Sequence, residues 1–203
     1  HQEFMRQKTM SKLFNLDIEI IDKHKFKTLY PIARNKDVFS GLYIPQDGQA
    51  DPEILTKNIS IAAKKKGVTI IEKCKLDKIL KRGNKIRGVK TNQGTINCEY
   101  IVLCAGMWSR QIGEAAGVSI PLYPNEHFYM ITEGYKNLPK NLPTFRDPDT
   151  YLYAREYHGK MMLGIFEPNA KNAFKKTSKV PNNFSFGEFK VDKKYIKMLH
   201  QLA

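Results

Sequence analysis

Three stretches of the 203-residue chain carry side chains of a type and spacing that suit chemistry. In the first, Glu126 to Glu133, alternation along an extended chain puts His127, Tyr129 and Ile131 on one face and Phe128, Met130 and Thr132 on the other. An imidazole beside a phenol offers a proton acceptor beside a donor, although a lone histidine on a strand serves structure more often than catalysis. In the second, Tyr151, Tyr153 and Arg155 share a strand face. The guanidinium there could meet a carboxylate bidentately, or bridge Glu156 or Asp147 as a structural tie. In the third, the apolar run Tyr100 to Cys104 reads as a buried strand that breaks at Ala105-Gly106 before a helical segment, Ser109 to Ala116. A turn so poor in side chains lets a flat ligand approach the backbone, with Trp108 to flank it; the same pattern also fits an ordinary strand-turn-helix corner.

The elements that must position these groups follow from period and punctuation. Gln2 to Leu16 reads as an amphipathic helix, Asp17 to Ile21 as a short strand, and Asp22 to Tyr30 as a helix with Asp22 at its N-cap and Pro31 as its stop. Opening on such a helix suggests a start inside a domain. Gly41 to Pro45 reads as a strand. A helix from Pro52 to Lys66 follows, with Asp51 before it and Gly67 after it. Val68 to Glu72 has strand character. Leu76 to Lys81, Lys85 to Thr91 and Thr95 to Cys98 form a β-meander through the loops Arg82-Gly83-Asn84 and Asn92-Gln93-Gly94. With the strand ending at Cys104, this pattern predicts the second half of a dinucleotide-binding α/β domain, although no Gly-x-Gly-x-x-Gly follows a strand in this sequence. Beyond Gly117 the pattern is that of an antiparallel sheet: Glu126 to Glu133, Thr144 to Arg146, Tyr151 to Glu156 and Lys160 to Phe166. A lysine-rich loop, Lys171 to Phe189, and a helix, Val191 to Ala203, end the chain.

Composition narrows the class. At 41% hydrophobic and 11% aromatic residues the chain is that of a globular protein, with no apolar run near the roughly 20 residues that span a bilayer. The start, HQEFMRQKTMSKLF, lacks the apolar centre of a signal peptide. Cys74, Cys98 and Cys104 have no metal-ligand spacing and cannot all pair within one chain, which fits a reducing compartment such as the cytoplasm. The net charge of +14 is mostly scattered lysine, with clusters at Lys64-Lys65-Lys66, Lys175-Lys176 and Lys193-Lys194. Scarce arginine argues for a solvated surface that steers an anionic substrate, and against a nucleic-acid reader.

Five stretches then stand together: Gly41 to Pro52 (GLYIPQDGQADP), Cys104 to Ser109 (CAGMWS), Glu126 to Tyr129 (EHFY), Leu152 to Glu156 (LYARE) and Gly164 to Lys171 (GIFEPNAK). In this order and spacing they resemble the dimethylglycine dehydrogenase and sarcosine dehydrogenase family, over nearly the whole chain. That resemblance implies a flavoprotein of D-amino-acid-oxidase-like fold, α/β (α+β) in class: a partial FAD-binding domain with a β-meander, and an antiparallel-sheet substrate domain. The implied division is 1–40 as a helical segment of the substrate domain, 41–117 as the second half of the FAD-binding domain, and 118–203 as the rest of the substrate domain. It implies oxidative demethylation of N-methylated glycine, with an unidentified electron acceptor.

Carried over position by position, the resemblance makes the strand at Leu76 the one that meets the adenine of FAD, and Ala105, Gly106 and Trp108 the turn beside the flavin. His127 and Tyr153 match the histidine and tyrosine that line the amine pocket, Tyr153 also lying at the flavin. Arg155 is expected to be structural. The chain is implied to be an internal fragment, without the nucleotide-binding turn and without a tetrahydrofolate-binding region, colourless and inactive by itself. A relative of another class, resembling the regulatory subunit of pyruvate dehydrogenase phosphatase, shares much of this region and implies the alternative of a non-catalytic flavin-fold protein. The family's compartment is the cytoplasm in bacteria and the mitochondrial matrix in eukaryotes.

Overall fold

The computed structural model of the chain describes residues 2–175 and 179–202. His1, Ala203 and residues 176–178, which include one lysine of the pair at 175–176 and part of the expected loop, lie outside the described residues. The chain divides into two units: His1–Asp51 with Phe128–Glu167 and Val191–Ala203, and Pro52–His127 with Pro168–Lys190.

In the first unit, α1 (Gln2–Ser11) is shorter than its pattern, because the chain tightens into a 3-10 turn, Lys12–Phe14, and leaves through Asn15 in the left-handed region at φ 53°. Strand β1 (Glu19–Ile21) pairs antiparallel with β2 (Gly41–Tyr43). Between them, α2 (Lys23–Leu29) starts where expected: the Asp22 carboxylate accepts from the backbone N–H groups of His24 and Lys25. Later residues supply a four-stranded antiparallel sheet of β6 (Tyr129–Ile131), β7 (Phe145–Asp147), β8 (Leu152–Tyr157) and β9 (Lys160–Ile165), in the order β6-β9-β8-β7. One face of that sheet is the core. Register aligns Phe145, Ala154, Leu163 and Met130 across the four strands. Against this face pack Phe26 of α2 and Tyr30 just after it, whose rings lie 5.9 and 5.2 Å from that of Phe145, and Leu199 of the final helix α5 (Lys193–Leu202). Tyr195 of α5 also stacks on Phe128, ring centroids 4.9 Å apart.

The second unit opens with α3 (Pro52–Lys65), closed at Gly67 by its φ of +87°. The meander is present as β3 (Leu76–Arg82), β4 (Lys85–Thr91) and β5 (Gly94–Asn97), in consecutive order. Helix α4 (Ser109–Ala115) follows a 3-10 turn, Gly106–Trp108. The Lys81 ammonium donates to the Ala116 carbonyl and so joins β3 to the end of α4. The Gln111 carboxamide accepts from the Val180 N–H at 2.8 Å and donates to the Val180 carbonyl at 2.9 Å, satisfying the backbone of a residue only 2% exposed.

Several expectations need correction. Val68 to Glu72 and Tyr100 to Cys104 belong to no strand: Glu72 lies in a turn, and Tyr100 and Val102 are each 86% exposed. A strand exists only through a neighbour that takes its N–H and C=O groups, and among the described residues no sheet edge is paired with either run. Every strand pairing described is antiparallel. The strand expected over 126–133 is shorter, Tyr129–Ile131 paired with Gly164 to Met162, with one further bond from the Thr132 N–H to the Met161 carbonyl. Tyr151 is not on the strand face of Tyr153 and Arg155: it precedes β8 in a turn, at φ 61°.

Candidate active site

The sheet face away from the core carries the chemistry of the first unit. Directly opposed residues of an antiparallel ladder share a face, and register sets Arg146, Tyr153, Gly164 and Tyr129 in one row across β7, β8, β9 and β6. The next row holds Arg155, Met162 and Ile131. Gly164 is bare because the Tyr153 ring lies across it; a Cβ there would overlap the phenol carbon and the hydroxyl. Phe166, one residue beyond β9, closes the other side of Tyr153 with ring centroids 4.8 Å apart, and the Arg146 guanidinium lies over the Phe166 ring at 5.6 Å. Burial pushes the Tyr153 hydroxyl above its ordinary value, and Tyr129 and Glu167 push the same way against the opposing pull of Arg155. The group is therefore a neutral phenol in the physiological range, a hydrogen-bond donor and not a base. Among the described residues, Oε1 of Glu167 is buried without a hydrogen-bond partner.

Arg155 shares this face but is engaged. Its guanidinium donates to Gln49 Oε1 at 3.0 Å and lies over the Tyr157 ring at 5.1 Å. The expected bridge to Glu156 or Asp147 is not the one formed: Glu156 accepts from the Gly159 N–H, and Asp147 from the Asp149 N–H and the Thr150 hydroxyl. Arg146 and the bare Gly164 escaped sequence reasoning as members of the site. Neither is special by type, and only the pairing of β7, β8 and β9 brings them beside Tyr153.

The remaining expected residues fall in the second unit. His127 is its last residue before the break at Phe128, is exposed, and precedes β6 by two positions. The Ala105-Gly106 turn is real: Gly106 has φ +52°, Ala105 accepts from the Trp108 N–H at 3.1 Å, and Trp108 is half-buried. Nothing lies within 4 Å of where a Gly106 Cβ would project, so the turn presents open backbone, as a planar ring would need. Leu76 begins β3, the edge strand of the meander, and pairs with Thr91. The open backbone at Gly106 suits the approach of a planar ring; a glycine-rich turn for a pyrophosphate is absent from this sequence.

A mixed helix-and-sheet fold of this kind is found in flavoenzymes. L-Proline dehydrogenase from P. horikoshii matches with a TM-score of 0.82 at 22% identity, over 99% of this chain and 51% of that one. The sequence itself matches the family described as DAO, FAD dependent oxidoreductase, over residues 2–202, and the chain belongs to that family. Among its relatives are mitochondrial sarcosine dehydrogenase of Mus musculus, 31% identical over 94% of this chain and 21% of that protein, and mitochondrial dimethylglycine dehydrogenase of Rattus norvegicus, 31% identical over 83% and 20%. The mitochondrial pyruvate dehydrogenase phosphatase regulatory subunit of Mus musculus is 33% identical over 77% and 18%. The chain thus spans about a fifth of the length of these relatives. Among the described residues no helix is long and apolar enough to cross a membrane.

Proposed function

We propose that the whole protein is an FAD-dependent dehydrogenase that demethylates an N-methylated glycine, dimethylglycine or sarcosine, and that the face bearing Tyr153 is its amine-side wall. The observation carrying this reading is the row Arg146, Tyr153, Gly164 and Tyr129 on the face opposite the core, in a chain of the FAD-dependent oxidoreductase family. Bound FAD supplies the acceptor for a hydride leaving the N-methyl carbon. The main chain at Leu76 is assigned to its adenine side, and Ala105, Gly106, Trp108 and the Tyr153 ring to its isoalloxazine side. The amine must be neutral before its carbon can lose hydride, because the nitrogen lone pair stabilises the carbon left behind; His127 takes that proton. The Tyr153 hydroxyl, held protonated by burial, donates to the substrate and orients it. The resulting iminium is hydrolysed by water to formaldehyde and the shortened amine. In this reading 41–117 is the second half of the FAD-binding domain and 1–40 with 118–203 the substrate domain.

The 33% identity to a phosphatase regulatory subunit favours a second reading, a flavin-fold regulatory protein without amine oxidation. One measurement separates the two. Full-length protein is mixed anaerobically with sarcosine or dimethylglycine, and bleaching of the flavin band marks the dehydrogenase; a spectrum unmoved by either amine marks the regulator. Within the first reading, His127→Ala lowers the rate of flavin reduction by on the order of 10²-fold with flavin retained. Parental reduction kinetics in that variant would remove the histidine from the chemistry.

A further inference from the structure

We propose that Glu167 receives the N–H of the substrate amine, and so makes sarcosine a better substrate than dimethylglycine. The inference rests on the amine-oxidising reading of the Tyr153 face and names which of the two amines that face selects. Glu167 has no part in the reaction as described so far. Its Oε1 is nevertheless buried and, among the described residues, accepts no hydrogen bond. A carboxylate oxygen taken out of water without a donor costs stability, and an N–H arriving from a ligand offsets that cost. Position ties the group to the phenol. Glu167 follows Phe166, whose ring closes one side of Tyr153, and the Phe166 N–H donates to the Tyr151 carbonyl at 2.9 Å, which carries the β8-β9 pairing one residue past β9 and up to Glu167. The carboxylate is also close enough to oppose ionisation of the Tyr153 hydroxyl. Both arginines of the face are described on other partners, Arg146 over Phe166 and Arg155 with Gln49 and Tyr157. A donor and an acceptor thus stand together, the phenol O–H and the carboxylate.

Sarcosine and dimethylglycine differ in what nitrogen still carries once the amine is neutral. Sarcosine keeps one N–H and dimethylglycine keeps none. When hydride leaves the N-methyl carbon for FAD, the nitrogen lone pair becomes the second bond of C=N and nitrogen takes the positive charge. In sarcosine that charge acidifies the remaining N–H, so its bond to Oε1 strengthens in the transition state, where it counts towards rate. In dimethylglycine a methyl group meets the carboxylate instead, and Oε1 stays buried and unpaired.

The test uses full-length flavoprotein under anaerobic rapid mixing, with sarcosine, dimethylglycine and methoxyacetate as probes, the last an unreactive acid with an ether oxygen in place of the amine. At saturation sarcosine is expected to reduce the flavin of parental protein at least about tenfold faster than dimethylglycine does. Glu167→Gln keeps the shape of the side chain and removes its charge. In that variant reduction by sarcosine slows by about 30-fold or more and reduction by dimethylglycine by no more than about fivefold, so the preference collapses. Methoxyacetate has no N–H to give. By calorimetry it binds Glu167→Gln at least as tightly as parental protein, because a carboxamide can donate to the ether oxygen, whereas a merely structural glutamate would weaken it along with the amines. Equal slowing of the two amines, a parental preference for dimethylglycine, or a loss of methoxyacetate affinity that matches the loss of rate overturns the proposal; bleaching of parental protein by either amine then leaves the dehydrogenase reading standing. Parental protein bleached by neither amine strikes that reading and the role of Glu167 together.

Discussion

Tyr153, half-buried, and Tyr30, buried, are two phenols with opposite uses. Tyr153 has its hydroxyl on the face of the row, and its raised ionisation keeps it a donor across neutral pH. Tyr153→Phe retains the ring over Gly164 and deletes the donor, so we expect flavin reduction at least about tenfold slower with the neutral limb of the pH profile unmoved. Displacement of that limb, followed by stopped-flow absorbance across pH, would show the phenol to be titrating. Tyr30 instead sits in the core with its hydroxyl unpartnered among the described residues, and burial pushes it up to about 12. A raised folded-state value means that its stabilising share is complete below about pH 10, the unfolded value, and is lost as pH rises through about 12. Tyr30→Phe should keep or raise stability by about 1 kcal/mol near neutrality and lessen the alkaline loss between pH 10 and 12. Thermal midpoints at pH 8 and pH 11 check this; a variant that loses stability equally at both would reveal a hydroxyl that does have a partner.

At the scale of elements, the site is a property of strand register. A slip of one residue in β8 against β9 would turn Tyr153 and Arg155 into the core and bring Leu152 and Ala154 out. Gly164→Ala is the gentlest probe of that fit. Its Cβ meets the Tyr153 ring, which must rotate away because the backbone on either side is held in the sheet. We expect destabilisation of about 1–3 kcal/mol and slower flavin reduction with FAD still bound. Reduction at the parental rate would mean that the position of the Tyr153 ring is immaterial. The same register accounts for what sequence could and could not disclose here. The alternation in Leu152 to Glu156 already put Tyr153 and Arg155 together, whereas Arg146 lies on another strand, seven positions away, and pairing alone brings it across.

At the scale of the molecule, the chain covers a fifth of its relatives' length and carries no glycine-rich phosphate turn. A doubly charged pyrophosphate without that turn loses several charge-assisted hydrogen bonds of roughly 1.5–3 kcal/mol each, so we expect these 203 residues alone to purify colourless and without amine dehydrogenase activity. A flavin absorbance band at near-stoichiometric ratio would sink that expectation. The sequence by itself determined the elements whose signals are local: the Asp22 cap, the stop at Gly67, the hairpin turns of the meander, and the alternation of β8 and β9. Five motifs in register also carried the family. Only the tertiary structure decided whether an apolar run becomes a strand, which row each side chain joins, and which partner Arg155 takes. Those outcomes depend on a partner distant in sequence. Tyr100 to Cys104 has every local mark of a buried strand and stays unpaired among the described residues, while Arg146 bears no local mark and stands directly across from Tyr153.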